Sequence, residues 1–149
     1  RWMQASASMP VFARPVEIDG RHYLDGGLTD CIPLKFIQRM GYRRNVVVLT
    51  QPLDYRKRQA HVGWAMKMFL GDYPKVAQLM AHRHVMYNGE LDYLHTEEQK
   101  GDTFLIYPDE KLNIGRLSLK EDKMRRVYEA GVAKATALLP QIKRFLAGE

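Results

Sequence analysis

With 149 residues, 46% of them hydrophobic, and a formal charge of +6, the chain is long enough to bury one core and too apolar to be disordered. No purely apolar run exceeds four residues, as in Val46-Val47-Val48-Leu49, far short of the ~20 residues of a membrane-spanning helix, and no basic-then-apolar leader opens it. A single cysteine, Cys31, excludes an internal disulfide and fits a reducing, cytoplasmic compartment.

The first regular element is a β-hairpin. Val16-Glu17-Ile18 leads into the turn pair Asp19-Gly20, and Arg21-His22-Tyr23-Leu24-Asp25 returns; Asp-Gly between two such runs is among the strongest local hairpin signals. Asp25 therefore ends the return strand and is followed by Gly26 and Gly27. Two glycines there permit positive φ and let another group approach where a Cβ would collide. On these residues alone, Asp25 is either a carboxylate presented in a crevice or part of an ordinary tight turn.

Pro33 to Met40 reads as a short helix closed by Gly41, and Asn45 to Gln51 as a strand. Its β-branched centre, Val46-Val47-Val48, suits a strand covered on both faces in a largely parallel sheet. From Ala60 to Gln99 the pattern turns helical and methionine-rich, broken by Gly71-Asp72-Tyr73-Pro74, since proline suits the first turn of a new helix. Methionines on such helices fill irregular cores or line adaptable apolar clefts. Thr103 to Tyr107 is a second buried strand, ended by Pro108. Ser118-Leu119-Lys120-Glu121 has the form of a capping box. The helix it opens carries Met124, Val127, Tyr128, Val132, Ala135, Leu138 and Leu139 along a stripe that should pack on the sheet. Pro140 should kink or end it, leaving 141–147 as a short terminal helix.

The flanks of the Asp-Gly-Gly triplet narrow its meaning. A run of small residues, Ala5-Ser6-Ala7-Ser8-Met9-Pro10, stands before the hairpin, and Leu28-Thr29-Asp30-Cys31-Ile32-Pro33 stands after it. The stretch from Ala5 to Pro33 resembles the second half of the patatin-like phospholipase domain. The resemblance implies an α/β fold: the C-terminal part of a three-layer α/β/α domain with a mostly parallel sheet plus a hairpin. It implies one domain over 1–149, with the motif-bearing hairpin and strand in 1–60 and the remaining helices and strand in 61–149. In that family the aspartate of Asp-Gly-Gly pairs directly with a serine nucleophile, so Asp25 becomes the dyad aspartate and Gly26 and Gly27 its motif loop. The implied reaction is hydrolysis of a fatty-acyl ester through an acyl-serine intermediate, with no cofactor. Many members carry Asn where this chain has Cys31, so the contact that an amide would make to the motif loop needs another donor.

The nucleophile turn itself, Gly-x-Ser-x-Gly, and a glycine-rich oxyanion loop are not in this sequence: Ser6, Ser8 and Ser118 have no such flanks. With Arg1 rather than Met at its start, the chain reads as the C-terminal part of a longer polypeptide, inactive alone. The alternative is a noncatalytic scaffold or partner-binding module of the same fold. A carboxylate with a pKa near 3.9 in water is a weak base, so activating a serine calls for partial burial of Asp25 and few competing donors. An acyl pocket, if present, would draw a wall from Trp64 to Leu70, with Trp64 and Met68 as substrate contacts.

The remaining chemistry is quickly bounded. Basic clusters at Arg43-Arg44, Arg56-Lys57-Arg58 and Lys123 to Arg126 are scattered and lack aromatic interleaving, which argues against nucleic acid. Solvation explains most of the excess, and an anionic membrane surface is the partner it would suit at a periphery. Lipid or acyl ester is the expected substrate, and the oligomeric state is left open. His82 and His84 are two apart, whereas zinc helices place histidines four apart, so no metal is expected. His22 and Asp25 fall on opposite faces of an alternating strand and do not make a pair.

Overall fold

The computed structural model describes residues 1–10, 12–59, 71, 73–115 and 120–148. The elements run in the order α1 (Trp2–Ser6), β1 (Val16–Ile18), β2 (Arg21–Tyr23), a 3₁₀ turn (Gly26–Leu28), α2 (Leu34–Arg39), β3 (Asn45–Val48), α3 (Pro74–Gln99), β4 (Thr103–Ile106) and α4 (Glu121–Ala147). The chain is mixed α/β. It divides into two compact units, one built from Arg1–Pro33 and Arg56–Asp92, the other from Leu34–Tyr55 and Tyr93–Glu149.

In the first unit β1 and β2 pair antiparallel, with Val16 opposite Tyr23 and Ile18 opposite Arg21. Asp19 and Gly20 both take positive φ, 51° and 72°, as a type I′ hairpin turn requires and as few residue pairs other than Asp-Gly tolerate. Trp2 of α1 stacks edge-on against Tyr23 with ring centroids 4.9 Å apart. Ala5, Ile18, Leu28 and Leu91 are buried apolar residues of this unit. α3 begins at Pro74, where the missing N–H is one of the four a helix start leaves unused.

In the second unit β3 and β4 pair parallel, Asn45 with Thr103 through Val48 with Ile106, and the Leu49 N–H extends the ladder to Ile106 O at 2.8 Å. α2 stops as expected: Gly41 sits at φ 95° and donates its N–H to Gln38 O at 2.9 Å. Leu34, Leu49, Leu94 and Leu105 form the core, with Leu94 fully enclosed. The Val46–Val48 run is not covered on both faces, since Val48 is 69% exposed. Among the described residues this sheet has two strands.

α4 departs from expectation in three ways. It runs unbroken from Glu121 through Pro140 to Ala147; proline's φ is helical, so one lost hydrogen bond in a long ladder does not end it. Its N-cap is Lys120, which makes no side-chain cap, and Ser118 of the expected capping box lies outside the described residues. Glu121 and Asp122 instead place negative charge at the positive end of the helix dipole. The expected stripe is also only partly in use. Val127, Lys134, Leu138, Ile142 and Phe145 form the half-buried face, and Phe145 packs on Phe104 of β4 at 5.7 Å. Met124, Tyr128, Val132 and Leu139 lie exposed beside it. At the far end Gly148 closes the helix at φ 86°, and Arg44 donates to Leu146 O at 3.1 Å.

Candidate functional site

Asp25 does not end a strand. β2 stops at Tyr23, and Asp25 caps the 3₁₀ turn, its Oδ1 accepting the Gly27 N–H at 2.7 Å. Short-range capping of this kind is what Asp side chains do best; Asp25 itself keeps an extended ψ of 123° at φ −47°, and the chain turns only from Gly26 onward. The Asp25 N–H donates to Ser8 O at 2.9 Å, so the small-residue run upstream holds the motif from behind. Ser8 is buried and its hydroxyl donates to Gln4 O at 2.8 Å. The result is a half-buried carboxylate with one oxygen committed to its own loop; among the described residues no hydrogen bond reaches Oδ2.

The two glycines have different duties. Neither has positive φ, so the freedom expected of them is not used. A Cβ on Gly26 would meet nothing within 4 Å. A Cβ on Gly27 would stand 2.6 Å from Arg83 Nη2 and 3.0 Å from Asp25 Oδ1. Gly27 is thus small because a guanidinium lies against it. Arg83 Nε is buried and has no hydrogen-bond partner among the described residues.

Behind the loop, Glu90 of α3 accepts two backbone N–H groups, from Cys31 to Oε1 and Ile32 to Oε2, both at 3.1 Å. Burial holds the Glu90 carboxyl above its ordinary value, and the negative charge of Asp30 adds to this, against the pull of the two N–H donors. The Cys31 thiol donates to Gly27 O at 3.0 Å. The thiol therefore makes a contact to the motif loop from the position where an amide is common.

Asp25, Gly26 and Gly27 are brought together as one loop, while Trp64 and Met68 lie outside the described residues. Arg83 and Glu90, which support the loop, were not singled out from sequence. They are seven apart on one helix and so share a face, and a charged pair at that spacing in a methionine-bearing helix was the available signal. Among the described residues no group of three or more His, Cys, Asp or Glu gathers to hold a metal. His82 and His84 instead make local contacts to Gln78 O and Ala81 O. No helix among them is long and apolar enough to cross a membrane.

Comparison with known sequences divides the chain as its motifs do. Residues 73–147 match a family described as a domain of unknown function, DUF6363, and cover half of the chain. The chain belongs to the DUF6363 family. In this DUF6363 protein, residues 1–36 also match the patatin-like phospholipase family, a span that takes in Asp25, Gly26, Gly27 and Cys31. The chain is similar to the uncharacterized protein YjjU of Escherichia coli (strain K12), 31% identical over 135 residues. That alignment covers 87% of this chain and 37% of YjjU, so the chain spans little more than a third of the relative's length.

Proposed function

We propose that this chain is the C-terminal part of a patatin-like three-layer domain, spanning 1–149, and that the full-length protein hydrolyses lipid acyl esters through a Ser-Asp dyad whose aspartate is Asp25. The observation that carries the reading is the disposition of the Asp25 carboxylate. Oδ1 is fixed by the Gly27 N–H at 2.7 Å, and Oδ2, which takes no hydrogen bond among the described residues, is left to accept the proton of a serine hydroxyl from the preceding part of the protein. A base must be held still and have an uncommitted lone pair, and this one meets both conditions. The patatin-like match over residues 1–36 supports the assignment from a separate direction.

In this reading the serine attacks the acyl carbonyl while Asp25 takes its proton, and the same proton is returned to the leaving alcohol. Water then attacks the acyl-serine with Asp25 again as base. Gly26 and Gly27 shape the loop, Cys31 and Glu90 hold it, and no metal or cofactor takes part. The net positive charge suits contact with anionic lipid at a membrane periphery.

The test is Asp25→Asn in the full-length protein, assayed against a phospholipid and a p-nitrophenyl ester. Loss of at least about 100-fold in kcat, with an unchanged melting temperature, is expected. Turnover at the wild-type rate refutes the dyad and leaves a noncatalytic binding module of the same fold. The 149-residue chain alone should hydrolyse neither ester.

A further inference from the structure

The second unit contains a cavity of about 640 Å³. It opens at the carboxyl ends of the parallel strands β3 and β4, bounded on one side by α4 and on another by the segment that follows β4. Carboxyl ends of neighbouring parallel strands are where α/β proteins place ligands, because the connections diverge there and leave a crevice. The volume lies in the range of small-molecule sites.

Its lining separates by chemistry. Leu49 and Ile106 form an apolar floor, and Val127, Ala130 and Gly131 form an apolar wall. Charge is confined to the rim. Lys134 is paired with Asp109 at 2.6 Å, and Arg126 donates to Leu112 O at 2.9 Å, latching the β4–α4 connection to the helix. Arg126 has further donors, and Lys111 stands on the same rim with Glu110 as the remaining carboxylate. With the Lys134–Asp109 pair self-compensated, the rim offers two cations against one acid.

Gly131 of α4 stands in the same wall. Glycine inside a helix is costly, and such a residue ordinarily has a close neighbour to excuse it. Here an added Cβ would meet nothing within 4 Å. Among the described residues no packing asks for glycine here, as none does at Gly89 of α3, but Gly131 lines the cavity and leaves its wall bare.

We propose that this cavity binds a single-chain amphiphile with an anionic head, specifically a fatty carboxylate, with the chain along Leu49, Ile106 and Gly131 and the head at Arg126 and Lys111. Arginine's planar fork matches a carboxylate with two parallel donors. The lining residues all belong to the second unit and Asp25 to the first, and the proposal stands whether or not the full-length protein is a hydrolase.

The experiment is calorimetric titration of the full-length protein with dodecanoate, dodecanol and lysophosphatidylglycerol, each below its aggregation threshold. Dodecanoate should bind at least about tenfold more tightly than dodecanol, the effect of one charge-assisted contact. Gly131→Leu fills the open space and should weaken dodecanoate by at least about tenfold while melting no lower than wild type, since leucine favours the helix that glycine disfavours. Arg126→Gln should weaken dodecanoate by about tenfold and leave dodecanol unchanged. Unaltered dodecanoate binding in Gly131→Leu, no binding by wild type, or equal affinity for dodecanol overturns the proposal. Lysophosphatidylglycerol binding at least about tenfold above dodecanoate overturns the carboxylate assignment in favour of a phosphodiester head.

Discussion

The guanidinium of Arg83 occupies the space that a side chain on Gly27 would need, with Nη2 2.6 Å from the position of the missing Cβ. The obstruction is the tip of a long side chain, so Gly27→Ala should displace Arg83 rather than unfold the loop, at about 1–2 kcal/mol, the range of modest overpacking. Asp25 Oδ1, 3.0 Å from the same point, must also give slightly. Removing the obstacle should reverse the sign. In an Arg83→Ala background the same glycine substitution should be neutral or stabilising by a few tenths of a kcal/mol, because alanine restricts the unfolded chain and the backbone here needs no positive φ. Denaturant unfolding of the two single variants and the double variant gives the coupling; strictly additive effects would separate Gly27 from Arg83.

Glu90 makes a different demand. Its carboxyl is held above the ordinary value by burial first and by Asp30 second. A carboxyl with a raised folded pKa binds its proton more readily folded than unfolded. Its contribution to stability is present below the unfolded value and is lost as pH rises through the folded one. Glu90→Gln should therefore flatten the stability profile upward from about pH 4.5. The substitution leaves one acceptor for the two N–H groups of Cys31 and Ile32, which should cost about 1–3 kcal/mol across the whole range. An unchanged profile from pH 4 to pH 7 would remove Glu90 from the support of the loop.

The contrast between Asp25 and α4 shows which features were legible in the sequence. The hairpin, the Asp-Gly turn, the α2 stop at Gly41 and both parallel strands rest on local rules and stand near where those rules put them, although β3 ends at Val48, three residues short of the expected Gln51. Asp25 stands out in the sequence, but the strand end expected there is not found. Alternation predicts a strand end, whereas an Asx-type contact to Gly27 two residues on wins over alternation once β2 runs out of partners. Arg83 and Glu90 escaped because a supporting residue is defined by what it touches some sixty positions away, and a single sequence does not print that distance. For α4, hydrophobic spacing identified a helix and not which of two adjacent apolar stripes would face β4. That choice depends on Phe104 and the sheet, so Phe145 packs while Leu139 and Leu146 do not.

Glu97 is the acid-sensitive group of the second unit. It is 5% exposed and accepts from Lys100 Nζ at 2.7 Å and Gln38 Nε2 at 2.6 Å, while the Tyr93 hydroxyl donates in turn to Gln38 Oε1. Lys100 first, and then the Gln38 amide, hold its carboxyl below the ordinary value. A depressed carboxyl stabilises above its unfolded value and loses that contribution as pH falls through the folded one. Glu97→Gln should lower the melting temperature at pH 7, with the gap to wild type narrowing below about pH 4. A gap that stays constant between pH 7 and pH 3 would assign the loss to packing rather than charge.

Thr103, the first residue of β4, places a hydroxyl where it is not needed. The residue is 3% exposed and its Oγ1 has no hydrogen-bond partner among the described residues. Valine has the same shape, favours a strand equally, and removes the unsatisfied group. Thr103→Val should therefore raise stability by about 1 kcal/mol, read as a later denaturation midpoint with an unchanged slope. Thr103→Ser is the control, since it keeps the hydroxyl and deletes a buried methyl, and should lower stability by about 1 kcal/mol. If valine proves destabilising while serine is tolerated, the hydroxyl has an acceptor in the folded protein and β4 begins in a more polar setting than its buried position implies.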